Sequence, residues 1–242
     1  MDRAKRRLAA VGGLVVVVAV AAVAGWWFVI RDDAPAPADI DTAAETLGED
    51  GDEAVDAADL AGTWTVDGSI GSFDDFSGTW AGYRFDEELG TIGANTAVGR
   101  TPDVTGTMTV TEDEVSAVDV EVDMTTLQSD ESRRDDALKQ RGLETDTFPT
   151  AAFSLTEPLA LPDGVASGDE VSTTAAGELT VHGTTSEVTV EVDAKLTGDG
   201  AVVVGRAPVV LEDFDIEPPT NAVVLSVDNE GTFEFQIFLT RT

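Results

Sequence analysis

The 242-residue chain carries 47 acidic against 14 basic side chains, one histidine and no cysteine, for a formal net charge of −33. A field of that sign repels nucleic acid and leaves no stripe for phosphate backbones. The lack of cysteine excludes thiolate nucleophiles, thiolate metal sites, c-type haem attachment, lipidation on cysteine and disulfide support, so the fold must rest on its apolar core.

Residues 8–30 form a run of 23 uncharged, mostly apolar residues. At ~1.5 Å per residue this is enough to cross a bilayer core, which takes about 20. Ala22-Val23-Ala24 has the small-x-small spacing of a secretory cleavage site, and a cleaved peptide is the alternative. The apolar run continues through Gly25, Trp26, Trp27, Phe28, Val29 and Ile30, where a processed peptide would already turn polar, and this favours an anchor with the tryptophans at the interface. Arg3, Lys5, Arg6 and Arg7 precede the run, whereas Arg31 is followed at once by Asp32 and Asp33. The basic flank, residues 1–7, is therefore expected in the cytoplasm and everything after the helix outside it, as a single-pass protein of the cell membrane. The part beyond residue 31 has 46 acids against 9 bases.

Residues 31–61 are rich in Asp and Glu and poor in large apolar side chains. Such a segment is expected to be a disordered, self-repelling tether. Its acids lack the D-x-[DN]-x-[DN]-G-x₅-E spacing of a calcium loop.

Residues 62–242 have the length of one domain with one core. Alternation of apolar and polar residues is clearest at Val118, Val120 and Val122 and at Val188, Val190 and Val192, each the mark of a half-buried strand. Further strands are expected over 64–66, 78–85, 104–110, 152–155, 177–181, 201–204, 223–227 and 232–239. In the last, Phe233, Phe235, Ile237 and Leu239 share one face. Strands of this length separated by Gly, Asp and Pro turns describe an antiparallel sandwich or barrel. Residues 129–139 break the pattern and predict a short helix, with Ser132 as its cap and Asp135 as the box partner. Pro149 then sets Phe148 extended before the next strand.

Several short segments occur in the order of a known family. They are Gly62-Thr63-Trp64-Thr65-Val66-Asp67; Ser129 followed by Arg134-Asp135 and Leu138; Phe148-Pro149-Thr150-Ala151-Ala152-Phe153; and Gly177-Glu178-Leu179-Thr180-Val181-His182-Gly183-Thr184-Thr185. Phe214-Asp215-Ile216 and Asn229-Glu230-Gly231-Thr232-Phe233-Glu234-Phe235 complete the series. Across 62–242 the chain resembles the YceI-like family of extracytoplasmic, lipocalin-like antiparallel β-barrels that hold polyisoprenoid or isoprenoid-quinone chains in an internal cavity. The resemblance implies an isoprenoid amphiphile as ligand, and sequestration or carriage in place of catalysis. The chain departs from the family where many members carry histidines, having Ser69, Ser72 and Tyr83 there, and it lacks the arginine that precedes the segment matching 214–216.

Trp80, Tyr83, Phe85, Phe148, Phe153, Phe214, Phe233 and Phe235 are the candidates for the cavity wall, with plain core packing as the alternative for each. Arg133, Arg134 and His182 are the candidates for contact with a head group. The two arginines and Lys139 are equally suited to pairing with Glu131, Asp135 or Asp136 on their own helix, and a lone histidine in a turn is commonly a hydrogen-bonded structural residue. No catalytic constellation, metal site or cofactor site is expected: with one imidazole and no thiolate only a hard-cation carboxylate site remains open, and the excess of acids makes chance carboxylate pairs plentiful. The rival reading is an envelope-stress or protein-interaction module with a barrel filled by side chains, which predicts an exposed apolar patch.

Overall fold

The computed structural model describes residues 34–47 and 60–242, except 92, 164, 166, 167, 198, 199 and 219. The expected anchor at 8–30 lies outside the described residues. Among those that are described, no helix is long and apolar enough to cross a membrane.

Twelve strands form one antiparallel sheet. In chain order they are β1 (Gly62–Val66), β2 (Trp80–Leu89), β3 (Gly93–Thr101), β4 (Val104–Val110), β5 (Glu114–Asp123), β6 (Gln128–Ser129), β7 (Thr150–Leu155), β8 (Leu159–Ala160), β9 (Val171–Val181), β10 (Thr184–Thr197), β11 (Gly200–Val210) and β12 (Val224–Arg241). Eight of them, in the order β1, β4, β5, β7, β9, β10, β11 and β12, close into a barrel through the pairing of β12 with β1. Closure satisfies the backbone groups that an open edge would leave unpaired.

The length of β12 explains how β2 and β3 join the wall. Its last residues pair with β1, as in Trp64 with Arg241, while the stretch before them pairs with β2, as in Phe235 with Ala81. The expected strands at 223–227 and 232–239 are thus one strand, bent by register shifts between Val224 and Ser226 and between Val227 and Gly231. Such shifts increase local twist and let one strand serve two neighbours. β3 was not among the expected strands. Its sequence, Gly-Ala-Asn-Thr-Ala-Val-Gly-Arg-Thr, has no period-two contrast because its last five residues are all buried.

The predicted helix forms as α2 over Ser132–Arg141, and its cap is Glu131, whose side chain accepts from the Arg133 N–H. Asp135 takes a different partner from the one expected, since its Oδ1 accepts from both the N–H (3.0 Å) and the hydroxyl (2.6 Å) of Ser129. A helix not predicted at all, α1 over Ile40–Leu47, lies inside the stretch expected to be a disordered tether, so that expectation fails for residues 34–47. Asp39 caps α1 by accepting from the Thr42 N–H at 3.0 Å and its hydroxyl at 2.8 Å. Ile40, Ala43, Ala44 and Leu47 recur at helical spacing and pack on Val202, Val204 and Phe238, which face outward from the barrel.

This outer face is therefore a second core. Glu234, Gln236 and Phe238, the alternate row of β12, are as buried as the inward row, at 5%, 4% and 0% exposure. The Gln236 amide donates to the carbonyls of Phe76, Ser77 and Gly78. Arg84 and Arg100 converge on Glu234 at 3.4 and 2.9 Å and donate onward to the carbonyls of Pro35 and Ala36. Arg100 is further held over the ring of Trp80 at 3.7 Å and that of Phe76 at 4.6 Å, a desolvated cation–π arrangement.

Candidate functional site

Inside the barrel runs a cavity of about 720 Å³, within the range of small-molecule sites. Its walls are made by the inward rows of nearly every strand, among them Val120 of β5, Leu179 of β9, Val190 and Val192 of β10, and Ile237 of β12. At one end Trp64 lines the space and satisfies its indole N–H on the carbonyl of Leu60 at 3.0 Å. At the other end the wall includes Asp130, Glu131, Arg133, Asn221 and Val223, all exposed, so this end, between α2 and the segment before β12, is the mouth.

Why the interior stays open follows from four close approaches. Tyr83 lies directly across from Gly99, Phe85 from Gly231, and Phe235 from Gly205, while Gly177 sits diagonally from Phe153. A methyl group on any of the four glycines would come within 3.0 Å of the facing ring. The rings therefore lie back along the wall in the space a side chain would otherwise fill, so they contribute apolar surface without crossing the bore.

Of the expected cavity aromatics, Tyr83, Phe85, Phe153, Phe233 and Phe235 line the space. Trp80 does not: β2 alternation turns it outward onto Arg100, where it is 1% exposed. Phe214 and Phe148 also lie outside the wall. Phe214 follows β11 in a 3₁₀ turn over Leu211–Phe214 and packs against Phe233 with the rings tilted by 59° and their centres 6.0 Å apart. Phe148 packs on the His182 ring at 4.5 Å.

Among the head-group candidates, His182 is away from the cavity wall. Its Nε2 is 3.0 Å from Glu144 Oε2 and its Nδ1 3.3 Å from the Phe214 carbonyl, so it ties the β9–β10 turn to the segments at 144 and 214. Arg133 and Arg134 do line the cavity at α2. Arg134 pairs with Asp130, just before the cap of its helix, and, at 2.8 Å, with Glu87 across on β2, and not with the helix acids first considered. Burial works against its charge, but Glu87, together with Tyr83 and Asp130, outweighs this and holds its pKa above the ordinary arginine value.

Glu87 itself was not anticipated. It is as buried as the Tyr83 and Phe85 of its row, and it also accepts from the Asn95 amide at 2.8 Å. Extending the period of two from Tyr83 and Phe85 would have placed it on the cavity face. The Tyr83 hydroxyl is buried in the same region without a hydrogen-bond partner, and burial pushes its pKa up. Among the described residues, no group of three His, Asp or Glu side chains converges as a metal site would require.

Comparison with known proteins agrees with this architecture. The model of the YceI-like domain matches residues 40–239. The chain belongs to the YceI-like family. The match begins at α1, so the helix on the outer face is part of the domain and not of a linker. Among solved structures, BcnA of Burkholderia cenocepacia is 15% identical with a TM-score of 0.50, covering 66% of this chain and 95% of its own. A polyisoprenoid binding domain from Saccharophagus degradans, described as implicated in plant cell wall breakdown, is 13% identical with a TM-score of 0.49, covering 67% of this chain and 98% of its own. The YceI protein of Campylobacter jejuni is 14% identical with a TM-score of 0.49, over 60% and 84% of the two chains. At such identities the likeness is one of fold. No curated protein matches at the level of sequence.

Proposed function

We propose that this protein binds an isoprenoid lipid, as a reservoir or carrier, without making or breaking a bond. The observation that carries this reading is the cavity of about 720 Å³, walled by aliphatic residues and by rings laid back against the sheet. Burial of a prenyl tail contributes ~0.8 kcal/mol per CH₂, so a long tail entering first is held without many polar contacts, and its head stays near Arg134 and Glu87 at the mouth. The hollow interior speaks against the rival module with a filled barrel. Family membership supports the ligand class, and the Saccharophagus neighbour is described as binding polyisoprenoid.

His182 and Glu144 form a pair of the kind used in proton transfer. They stand outside the cavity wall, where a bound tail does not reach them, and this supports a binding role over catalysis.

The location belongs to the same proposal. The apolar run at 8–30 with its basic flank supports a single-pass anchor with the barrel outside the cytoplasm. Arg84 and Arg100 donate to the carbonyls of Pro35 and Ala36, only a few positions in sequence after the apolar run, and this supports a cavity kept close to a bilayer. Mass spectrometry of organic extracts from the gently purified full chain tests the reading. A co-purifying prenyl lipid in near-equal amount to protein is expected; protein that is empty and takes up no prenyl lipid when it is supplied overturns it.

A further inference from the structure

The charge arrangement at the mouth goes beyond the choice of a prenyl tail to the choice of head, and rests on the tail-binding reading above. Both terminal nitrogens of Arg134 are already taken by carboxylates, one by Glu87 and the other by Asp130. Glu87 is 3% exposed and Arg134 16% exposed, so this pair is largely out of solvent. Three acids, Glu87, Asp130 and Glu131, line the mouth region together with Arg133 and Arg134. Arg133 is exposed on α2. The remaining lining cation, Lys195 on β10, adjoins Leu196 of the core cluster that holds Trp64, at the end of the cavity away from the mouth.

A phosphate arriving at this mouth finds its natural partner occupied. To bind Arg134 it must compete with Asp130 at one terminal nitrogen, or displace Glu87 from the other and leave that carboxylate buried without a counter-charge, a costly outcome. If it stays outside the pair it can reach the exposed Arg133, but there it also faces Asp130 and Glu131 in the field of a strongly acidic protein. An uncharged head meets neither penalty. A carbonyl or hydroxyl oxygen can be accommodated among groups already satisfied, and the Tyr83 hydroxyl is a donor still without an acceptor.

We infer that the mouth selects isoprenoids with an uncharged oxygen head and rejects the corresponding phosphates, with the Glu87–Arg134–Asp130 group as the determinant. The discrimination is electrostatic, so it weakens as salt is added, and it is reversed in part by removing either acid.

The test compares geranylgeraniol with geranylgeranyl phosphate, which share a tail, by titration into the full chain at low and high salt. The prenol is expected to bind about tenfold more tightly at low salt, the equivalent of ~1.4 kcal/mol, with the gap narrowing at high salt. Glu87→Gln and Asp130→Asn should each lower the prenol-to-phosphate affinity ratio severalfold. Asp130 is on the surface, 69% exposed, so its variant probes charge without risk to the fold. Equal or tighter binding of the phosphate by the unmodified protein, or a prenol-to-phosphate ratio untouched by both variants, overturns the head-group inference alone. Failure of both lipids to bind overturns the isoprenoid reading beneath it.

Discussion

Replacing Gly205 by Ala should narrow the bore without touching a polar group. Gly205 on β11 lies opposite Phe235 on β12, and a methyl group at this position would stand under 3.0 Å from two atoms of the ring. Carbon atoms rest at ~3.5–4.0 Å, so the ring must retreat by about 1 Å or more. Neighbouring strands block it along the wall, and the open direction is the cavity. The strain of such overpacking is ~1–3 kcal/mol of stability. The effect on binding is of similar or greater size. A six-carbon ring turned into the bore takes the room of about one isoprene unit, and five carbons at ~0.8 kcal/mol each amount to ~4 kcal/mol. Partial intrusion brings the loss to between about tenfold and about a thousandfold in Kd. Titration with prenols of increasing tail length is the assay. The variant should lose affinity for long tails while short ones bind nearly as before, and the double variant Gly205→Ala with Phe235→Leu should recover long-tail binding. Uniform affinity across the series, in a variant that retains its thermal transition, would refute the idea that the glycines keep the bore open.

Other consequences concern the outer face. Glu234→Ala leaves Arg84 and Arg100 facing each other without a counter-charge beneath residues 34–38, and should cost ~3–5 kcal/mol in urea unfolding; a loss below 1 kcal/mol would mean that the strap carbonyls alone suffice. Ile40→Ala opens a gap over Val202, Val204 and Phe238 and should cost ~2–4 kcal/mol if α1 is part of the cooperative fold, whereas a silent substitution would show that α1 docks only loosely. Asp39, Asp67 and Asp123 have carboxyl pKa values held below 3.8, the first chiefly by the Thr42 N–H and the others chiefly by the hydroxyls of Ser69 and Thr125. A depressed carboxyl pKa contributes stability that is complete above the unfolded value and fades as pH falls below 3.8 through the folded values. Thermal melts below that pH should therefore decline less steeply in a triple Asp→Asn variant than in the unmodified protein, and identical slopes would show that these turns do not contribute.

How much of this was legible before the fold was known varies element by element. Val118–Val120–Val122, Val188–Val190–Val192 and the row from Phe233 to Leu239 declared themselves because one face of each strand is apolar and the other is not. β3 escaped because both of its faces become buried and small residues replace the contrast. The helix α1 was readable in principle from Asp39 as cap and the spacing of Ile40, Ala43, Ala44 and Leu47; its acidic surroundings masked it. At the site, five of the eight aromatic candidates reached the wall, because residue type and strand period together select inward rings. Trp80 failed because its strand has two cores, and period alone does not say which side holds the ligand. Glu87 was missed for the converse reason, since a charged residue in an inward row reads as solvent-facing until its partner Arg134 is seen across the gap.

Composition and pattern alone determined that the chain is acidic, free of cysteine, built of antiparallel strands and supplied with an apolar run long enough for a membrane, because these properties reside in residue identity and in periods of two or three to four. Whether the barrel is hollow was decided only by the tertiary structure. The glycines at 99, 177, 205 and 231 and the rings they receive are separated in sequence and meet only through strand register. The pairing of Arg134 with Glu87, forty-seven positions apart, is likewise a product of folding, and it turns a basic residue that sequence offered as a head-group contact into one whose charge is already answered.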